Sequence, residues 1–380
     1  MNALGSPEQI HLALLRLKCR IVKKIIRSRG NDRYESVWER VRQYKSIWEE
    51  AAQTLSAELN ELSEGFWEVR RDDCLTRLYN HIVPMDDPVT LAVADNKPLS
   101  LNLLRKNGLP VPRHATFRLH ELFKARVFIE ETGGLFVVKP AHGTSGGKGI
   151  TTHLEGFSEC RDAAVLASLY GMDLMIEEFI PGESYRILVL DGDVIHASRR
   201  TGLRVTGDGF STIGQLAEQE GLRGRGSRKE SPTERFTFKR DFRKTIQAQN
   251  IDVRSVPEAG RVVLVAGQAE VGAGKEVRTR YDEDVTLVLC DDLKNQAIGA
   301  AKTIGSRFAG VDVITTDPLV SLEKSHGAIN EVNTTPGMHN HYDLVNQGKT
   351  PPAVPVLRYL LEKGGSRKNE QDILSGKTVS

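Results

Sequence analysis

The chain has 380 residues, of which 39% are apolar and 27% are charged, and 34 are glycines. This composition excludes a disordered or fibrous chain and is typical of a globular α/β or α+β protein with room for two or three domains. The formal net charge of +2 gives no overall attraction to nucleic acid, so an anion site must come from local clustering. Four cysteines lie far apart without metal-ligand or disulfide spacing, and no signal peptide or spanning apolar run is present. We expect a cytoplasmic protein without a nucleic-acid or membrane partner.

Two amphipathic helices are predicted near the N-terminus. The first begins at a capping Ser6 followed by Pro7 and continues to about Arg29, with basic residues opposite its apolar face. The second repeats apolar residues at three- and four-residue steps from Tyr34 to Leu62. We expect the two helices to pair on their own domain or on a second subunit, which makes a homodimer through them a candidate assembly. A basic helix that lies on a membrane or on RNA is the alternative.

Two short strands, at 66–70 and 75–79, are predicted around an Asp72-Asp73 turn. They would complete a small N-terminal module, and we place a domain boundary near residue 90. A helix that runs from residue 99 to 107 and stops at Gly108 follows this boundary.

A buried strand that ends in lysine is followed by a glycine-rich turn. The strand covers 135–140 and contains Lys139, and the turn at 143–149 contains Gly146 and Gly147. A buried lysine needs an anionic partner, and glycines let backbone N–H groups approach phosphate closely. The order of residues matches neither a Walker A loop nor a Rossmann fingerprint. The pattern indicates a phosphate clamp, and a plain surface hairpin is the alternative.

The next strand continues into a hairpin that turns at Asp191-Gly192. Backbone groups of residues 178–180 are candidates to pair with an adenine, and Glu183 is a candidate for a ribose hydroxyl. Arg186 and Arg200 lie on strands on either side of the turn, where they would face a developing negative charge. Each is also consistent with an exposed strand charge.

A basic segment follows, with nine Lys or Arg residues against three Asp or Glu residues at 222–244. It predicts either a solvated mobile loop or a lid that closes over phosphates. An amphipathic helix is expected over 291–308.

Two apolar strands near the C-terminal end carry oxygen ligands. Asp312 lies on the first strand, and Glu331 and Asn333 lie on the second. Because successive side chains alternate, Glu331 and Asn333 face the same way while Val332 enters the core. Mg²⁺ prefers a few carboxylate or amide oxygens and leaves its other positions to water and phosphate. The trio predicts a magnesium site beside a nucleotide triphosphate; a polar strand end with an ordinary turn at 336–337 is the alternative.

Taken in order, these motifs resemble those of the ATP-grasp superfamily, and most of all the ligase domain of cyanophycin synthetase and its relatives. The resemblance covers roughly residues 90–360. The segments that carry it are Asp95-Asn96-Lys97, 108–112, Val138-Lys139-Pro140 with its glycine loop, 177–182, Arg186, Arg200, 205–213, 310–312 and 331–333.

The resemblance implies an α+β ATP-grasp fold in which two subdomains grip ATP, preceded by a smaller helix-rich N-terminal domain. The expected regions are the N-terminal domain at 1–90, the subdomains at 91–180 and 181–362, and a flexible tail at 363–380. ATP and Mg²⁺ are the implied cofactors, with Mn²⁺ as a possible replacement.

The resemblance also implies a role for each site residue. The expected ATP-binding residues are Lys97, Lys139, Gly146, Gly147, Glu177, Glu178, Ile180 and Glu183. The expected metal ligands are Asp312, Glu331 and Asn333, the catalytic residues are Arg186 and Arg200, and the substrate-binding residues are Arg204, His339 and His341. His339 and His341 are chosen because they follow the metal strand directly, although they also suit a polar loop.

The chain departs from the family pattern at three places. Ser184 stands where relatives place a ribose-binding acid, so Glu183 is expected to replace it. Gly310 stands where D-alanine–D-alanine ligases carry an arginine, so Arg186, Arg200 or the basic segment must supply that charge. The stretch at 269–275 differs from cyanophycin synthetases, whose second, Mur-ligase-like half is also lacking, so we do not expect a polymer-making enzyme.

The implied reaction is the attack of a carboxylate on the γ-phosphate, followed by capture of the acyl phosphate by an amine. We therefore expect an ADP-forming carboxylate–amine ligase that takes small-molecule substrates, an amino acid or a small peptide. Alternatives are a macrocyclising ligase that recruits a protein or leader peptide through the N-terminal helices, and a kinase on the same scaffold. A non-catalytic nucleotide-binding protein is least expected, because the metal ligands and both lysines are present.

Overall fold

The computed structural model describes residues 33–142, 149–223, 249–266, 282–342 and 351–362, together with residues 17, 21, 242 and 245–247. Within these ranges the chain is built from helices and mainly antiparallel sheets, so the expected α+β class is confirmed. Several expectations fall outside the described residues: most of the first helix, Gly146 and Gly147, most of the basic segment, the stretch at 269–275 and the tail at 363–380.

The N-terminal part consists of one long helix and a three-stranded sheet. Its elements are α1 (Arg33–Thr54), β1 (Glu58–Ser63), β2 (Phe66–Arg71) and β3 (Cys74–Tyr79). The predicted hairpin is confirmed, but the prediction of helix up to Leu62 is wrong, because residues 58–63 pair with β2. Ser56, at a left-handed φ of 52°, breaks the helix, and the pairing with β2 outweighs the helical spacing of the leucines.

The next part contains a four-stranded sheet. In chain order its elements are α2 (Pro88–Asp95), α3 (Lys97–Lys106), β4 (His114–Phe117), α4 (Leu122–Thr132), β5 (Leu135–Pro140), β6 (Thr151–Glu155), α5 (Gly156–Ala167) and β7 (Leu174–Glu178). The strand order is β4-β7-β5-β6, and α4 and α5 cover one face of the sheet. Helix α2 crosses the predicted boundary at residue 90.

The remaining part contains a five-stranded sheet. In chain order its elements are β8 (Glu183–Leu190), β9 (Asp193–Arg200), β10 (Leu203–Thr206), α6 (Ile213–Arg223), β11 (Val262–Ala266), β12 (Glu283–Asp284), α7 (Asp291–Ile304), β13 (Phe308–Thr315), β14 (Ala328–Thr334), α8 (His339–Tyr342) and α9 (353–362). The order is β12-β9-β8-β13-β14, while β10 and β11 form a separate pair. The expected turn at Asp191-Gly192 is confirmed. Helix α7 stops at a left-handed Gly305 with φ 85°, so the expectation that it reaches Phe308 is wrong.

The two faces of the five-stranded sheet have different neighbours. One face packs its apolar side chains, including Tyr185 and Val311, against α7. On the other face, Leu188 and Phe308 share a core with Trp48 of α1 and with α9. The N-terminal helix therefore covers one end of this face, and the polar residues of β8, β13 and β14 lie toward its other end.

Trp48 tests whether the N-terminal helix is part of this core. Its side chain is fully buried, and its indole N–H donates to the carbonyl of Asn80 at 2.8 Å. We expect Trp48→Ala to destabilise the protein by about 3–5 kcal/mol, measured by urea unfolding and circular dichroism. Phe123→Ala, at a side chain that is 63% exposed, is the control and should change stability by less than about 0.5 kcal/mol. A separate early transition in Trp48→Ala, with the main transition unchanged, would contradict the shared core.

Candidate active site

The strand register brings the predicted metal ligands and one arginine onto one face. Arg186 on β8 lies opposite Asp312 on β13, which lies opposite Glu331 on β14. Asn333 donates through its amide nitrogen to the Asp312 Oδ2 atom at 3.2 Å. Val332 is buried in the core on the other face, as the alternation predicts. The structure therefore brings the predicted trio together.

Asp312 is held between two arginines. Arg186 donates through Nε to Oδ1 and through Nη2 to Oδ2 of Asp312, the second bond at 2.7 Å. The Nη1 atom of Arg200 lies 3.9 Å from Asp312 Oδ1. The side chains of all three residues are nearly buried. Such bidentate pairing fixes the guanidinium of Arg186 in one orientation.

Lys97, the first residue of α3, forms an ion pair with Glu331. The Nζ–Oε1 distance is 2.6 Å. Burial works against the charged form of Lys97, but the charge and hydrogen bond of Glu331 raise the pKa of this lysine above its usual value. Burial likewise opposes the Glu331 carboxylate, yet Lys97 keeps the pKa of Glu331 below its usual value. The two groups therefore hold each other in the charged state.

Lys139 at the end of β5 pairs with Glu177 on β7. The Nζ–Oε1 distance is 2.7 Å, and both side chains are nearly buried. The anionic partner that a lysine on a buried strand requires is thus a carboxylate of the same sheet. The other oxygen of Glu177, Oε2, is buried and accepts no hydrogen bond from the part of the chain that the structure describes.

Asn330 also reaches Lys139, and this contact was not predicted. The Nζ–Oδ1 distance is 3.5 Å. Strict alternation along β14 would turn Asn330 away from Glu331. The pairing shifts by one residue between Asp312 and Val313, so that Asn330 is the extra residue of a β-bulge. A bulge of this kind has no reliable signal in the sequence.

The segment after β7 leaves one backbone donor open. The N–H of Glu178 donates to the carbonyl of Arg113, and the N–H of Phe179 donates to that of Leu135. The carboxylate of Glu178 accepts from the backbone N–H and the Nε of Arg113 at 2.9 and 3.0 Å. Among the described residues, the N–H of Ile180 has no such acceptor.

Glu183 accepts a hydrogen bond from Arg204, so these two predicted residues contact each other. The loop that contains Gly146 and Gly147 is outside the described residues, but His142 just before it forms an isolated β-bridge with Asn96. This bridge brings His142 beside Asn96, the neighbour of Lys97 in the sequence.

The two histidines after the metal strand face the N-terminal side of the sheet. The Nδ1 atom of His339 lies 2.8 Å from the hydroxyl of Tyr44 on α1. The Nδ1 atom of His341 lies 2.8 Å from Nδ1 of His196 on β9. Both predicted residues are buried, and their contact with a substrate stays a prediction.

Gly310 leaves space for the side chain of Arg186. A Cβ atom at residue 310 would lie 2.9 Å from Cδ of Arg186 and 2.8 Å from Cβ of Pro336. The absence of a side chain therefore leaves room for the guanidinium that pairs with Asp312. Arg186 supplies positive charge next to the position where the family pattern has an arginine.

The donor set of the trio fits a hard divalent cation. No cluster of three or more His, Cys, Asp or Glu residues is found in the described ranges. The candidate ligand set therefore consists of the two carboxylates of Asp312 and Glu331 and the amide of Asn333, which contacts Asp312. Two carboxylates and an amide suit Mg²⁺, which takes its remaining ligands from water and phosphate. A softer metal would favour thiolate or imidazole ligands.

No family model matches the chain. The glutathione biosynthesis bifunctional protein GshAB of Enterococcus faecalis is 30% identical over 284 residues, which cover 72% of this chain and 35% of the relative. The cyanophycin synthetase of Trichormus variabilis is 30% identical over 258 residues, which cover 66% of this chain and 27% of the relative. The chain thus spans about a third of the length of these curated relatives.

A solved structure shows the same fold. The bifunctional glutathione synthetase from Pasteurella multocida aligns with a TM-score of 0.53 at 22% sequence identity, over 81% of this chain and 42% of that one. The expected resemblance to cyanophycin synthetase is confirmed, and the chain is also similar to proteins of glutathione biosynthesis. In the described residues, no helix has the length and apolar character needed to cross a membrane.

The mutual charging of Lys97 and Glu331 can be measured directly. In Lys97→Met we expect the pKa of Glu331 to rise, because burial continues to oppose its charge while the nearest cation is gone. The ¹³C shift of the Glu331 carboxyl group, followed against pH, reports this change. Lys45→Met, at an exposed lysine that pairs with Glu61, should leave the pKa of Glu331 as it is. An unchanged titration of Glu331 in Lys97→Met would contradict the pairing.

Proposed function

The chain belongs to the ATP-grasp superfamily, and on this premise we propose that it is an ATP-dependent, ADP-forming carboxylate–amine ligase. The observation that supports this best is the largely buried group in which Lys97, Lys139 and Arg186 face Glu331, Glu177 and Asp312. The cations of this group suit the phosphates of a nucleotide triphosphate, and its carboxylates suit the divalent cation that accompanies the triphosphate.

The base of ATP is proposed to bind beside Ile180. The open N–H of Ile180 donates to N1 of adenine, and the buried Oε2 atom of Glu177 accepts from the amino group. The carboxylate of Glu178 is committed to Arg113, so Glu178 contributes its backbone. Glu183, held by Arg204, is the proposed contact to the ribose.

The triphosphate is proposed to bind by exchange of partners. Lys97 and Lys139 move from Glu331 and Glu177 to phosphate oxygens, and Gly146 and Gly147 are further proposed phosphate contacts. This exchange frees Glu331 to serve with Asp312 and Asn333 as a ligand of Mg²⁺ or Mn²⁺. When bound, the metal neutralises the phosphate oxygens and favours transfer of the γ-phosphoryl group.

The residues of this chain then have defined tasks in the reaction. An oxygen of the substrate carboxylate bonds to the γ-phosphorus, and the bond between the γ-phosphorus and the leaving oxygen of ADP breaks. Arg186 and Arg200 stabilise the negative charge on the transferred group. The nitrogen of the amine attacks the acyl carbon, phosphate leaves, and the amine loses a proton to give the amide. Arg204, His339 and His341 are the proposed contacts to the substrates.

The proposed substrates are an amino acid or small peptide as carboxylate and a small amine. The names of the relatives, glutathione biosynthesis protein and cyanophycin synthetase, support condensation of amino acids. The apolar face of α1 packs against its own chain, which argues against recruitment of a peptide or of a second subunit through that face. A homodimer through the N-terminal helices stays a prediction. We propose a cytoplasmic location because the reaction consumes ATP.

Hydroxylamine provides the test of the acyl phosphate. With ATP, Mg²⁺, pooled amino acids and dipeptides, and hydroxylamine in place of the amine, we expect ADP, phosphate and an acyl hydroxamate detected by mass spectrometry. Arg186→Met should lower the rate by about 100-fold or more, because the charge on the transferred group loses its partner. Arg77→Met, whose side chain is 70% exposed, should keep the wild-type rate.

Other products would reject this proposal. AMP with pyrophosphate would exclude an acyl-phosphate route. A stable phosphorylated substrate that does not react with hydroxylamine would indicate a kinase.

Gly310 offers a second test, of the position of Arg186. Gly310→Ala forces Arg186 or Pro336 to move, because the new Cβ atom would lie within 3.0 Å of both. We expect the rate of ADP formation to fall at least about tenfold, the effect of losing one well-placed charge contact. Gly299→Ala on α7, where the Cβ atom finds Leu109 at an ordinary 3.7 Å, is the matched control and should remain active. Full activity of Gly310→Ala would show that Arg186 need not sit against residue 310.

A further inference from the structure

Strand β6, an edge strand of the four-stranded sheet, carries an unusual residue. Phe136 pairs with Leu154 and Val138 pairs with Thr151, so β6 advances three residues while β5 advances two. His153 lies in this bulge with a φ of 53°, in the left-handed region that side chains other than glycine rarely adopt. The bulge sets the direction of the His153 ring.

The neighbours of the bulge show which face this ring is on. Phe136, Val138, Leu154 and Ile176 belong to the core under α4 and α5. Because side chains alternate, the residues next to them in sequence face the opposite side. Lys139 and Glu177, which are joined by their ion pair, face that side, as does Val137 between Phe136 and Val138. The bulge places Thr152 and His153 together opposite Val137, because the flanking pairs are Phe136 with Leu154 and Val138 with Thr151. His153 therefore lies on the face of the sheet that carries the proposed nucleotide site.

His153 contacts the segment that is proposed to bind the base. Its ring centroid lies 4.2 Å from that of Phe179, with an angle of 43° between the planes. Phe179 is anchored by its N–H, which donates to Leu135 at 2.8 Å, and it directly precedes Ile180. The hydroxyl of Thr152 lies 3.0 Å from Nδ1 of His153 and helps to orient the ring.

We propose that His153 is a specificity-determining residue for the nucleotide base, forming with Phe179 an aromatic wall of the base pocket. This inference rests on the proposed ATP site. The wall holds the purine in the plane in which its edge meets the N–H of Ile180 and the Oε2 atom of Glu177. Adenine presents an acceptor and a donor to these groups, whereas guanine presents a donor and an acceptor. A base held in this plane is therefore selected as adenine.

Glycine at residue 153 separates the role of the ring from its role in the fold. Glycine adopts a φ of 53° without steric cost, so His153→Gly removes the ring while relieving the backbone. A histidine at this φ is unfavourable for the backbone, and the contact of its ring with Phe179 compensates for this strain.

The test measures ATP and GTP binding to the full chain in the presence of Mg²⁺ by isothermal titration calorimetry. For His153→Gly we expect ATP binding to weaken about five- to tenfold while GTP binding changes less, so that the preference for ATP falls. Phe179→Leu should lower the same preference, because it removes the other half of the wall. His120→Ala, at an exposed histidine of the same subdomain, is the control and should keep the wild-type preference.

Thermal unfolding of the same samples completes the test. We expect His153→Gly to melt at or above the wild-type temperature, because the backbone strain is removed. An unchanged preference for ATP in His153→Gly would overturn the proposal, and so would a much lower melting temperature, which would make the ring a structural contact. Failure of the wild-type protein to bind either nucleotide would instead reject the proposed function.

Discussion

The pairing of buried cations with buried or partly buried carboxylates is the constraint on which the site depends. A lysine or arginine removed from water is unfavourable unless an anion compensates it, and here Lys97 pairs with Glu331, Lys139 with Glu177 and Arg186 with Asp312. The Lys97 pair joins α3 to the five-stranded sheet, and the contact of Lys139 with Asn330 joins the two sheets directly. In the free chain the groups proposed for phosphate and for metal thus neutralise each other. Ligand binding then becomes an exchange of partners within a formed site.

The rest of the fold positions this charged group. One face of the five-stranded sheet is fixed by α7, and one end of the other face is fixed by α1 and α9. The polar end that remains carries Arg186, Asp312 and Glu331 in register. Tyr44, bonded to His339, connects the N-terminal helix to the loop after β14. The N-terminal part therefore stabilises the five-stranded sheet, although it is a separate stretch of the sequence.

Local patterns were enough to predict the elements that carry the site. Alternation placed Glu331 and Asn333 on one face, and the apolar strand that contains Lys139 was evident from its composition. The partners of these residues could not be predicted, because each ion pair joins distant segments and its geometry depends on how the sheets pack. Asn330 and His153 were missed because each lies in a β-bulge, where one extra residue breaks the alternation. Helix α1 was predicted too long because leucines at helical spacing also suit a strand that pairs with β2.

A crystal structure of the chain with Mg²⁺ and a non-hydrolysable ATP analogue tests the exchange of partners most directly. The account predicts that Lys97 and Lys139 contact phosphate oxygens, that Glu331 has left Lys97, and that oxygens of Asp312, Glu331 and Asn333 surround the metal. Adenine should lie against Ile180. If the nucleotide were bound while the Lys97–Glu331 and Lys139–Glu177 pairs stayed intact, the account of this site would be contradicted.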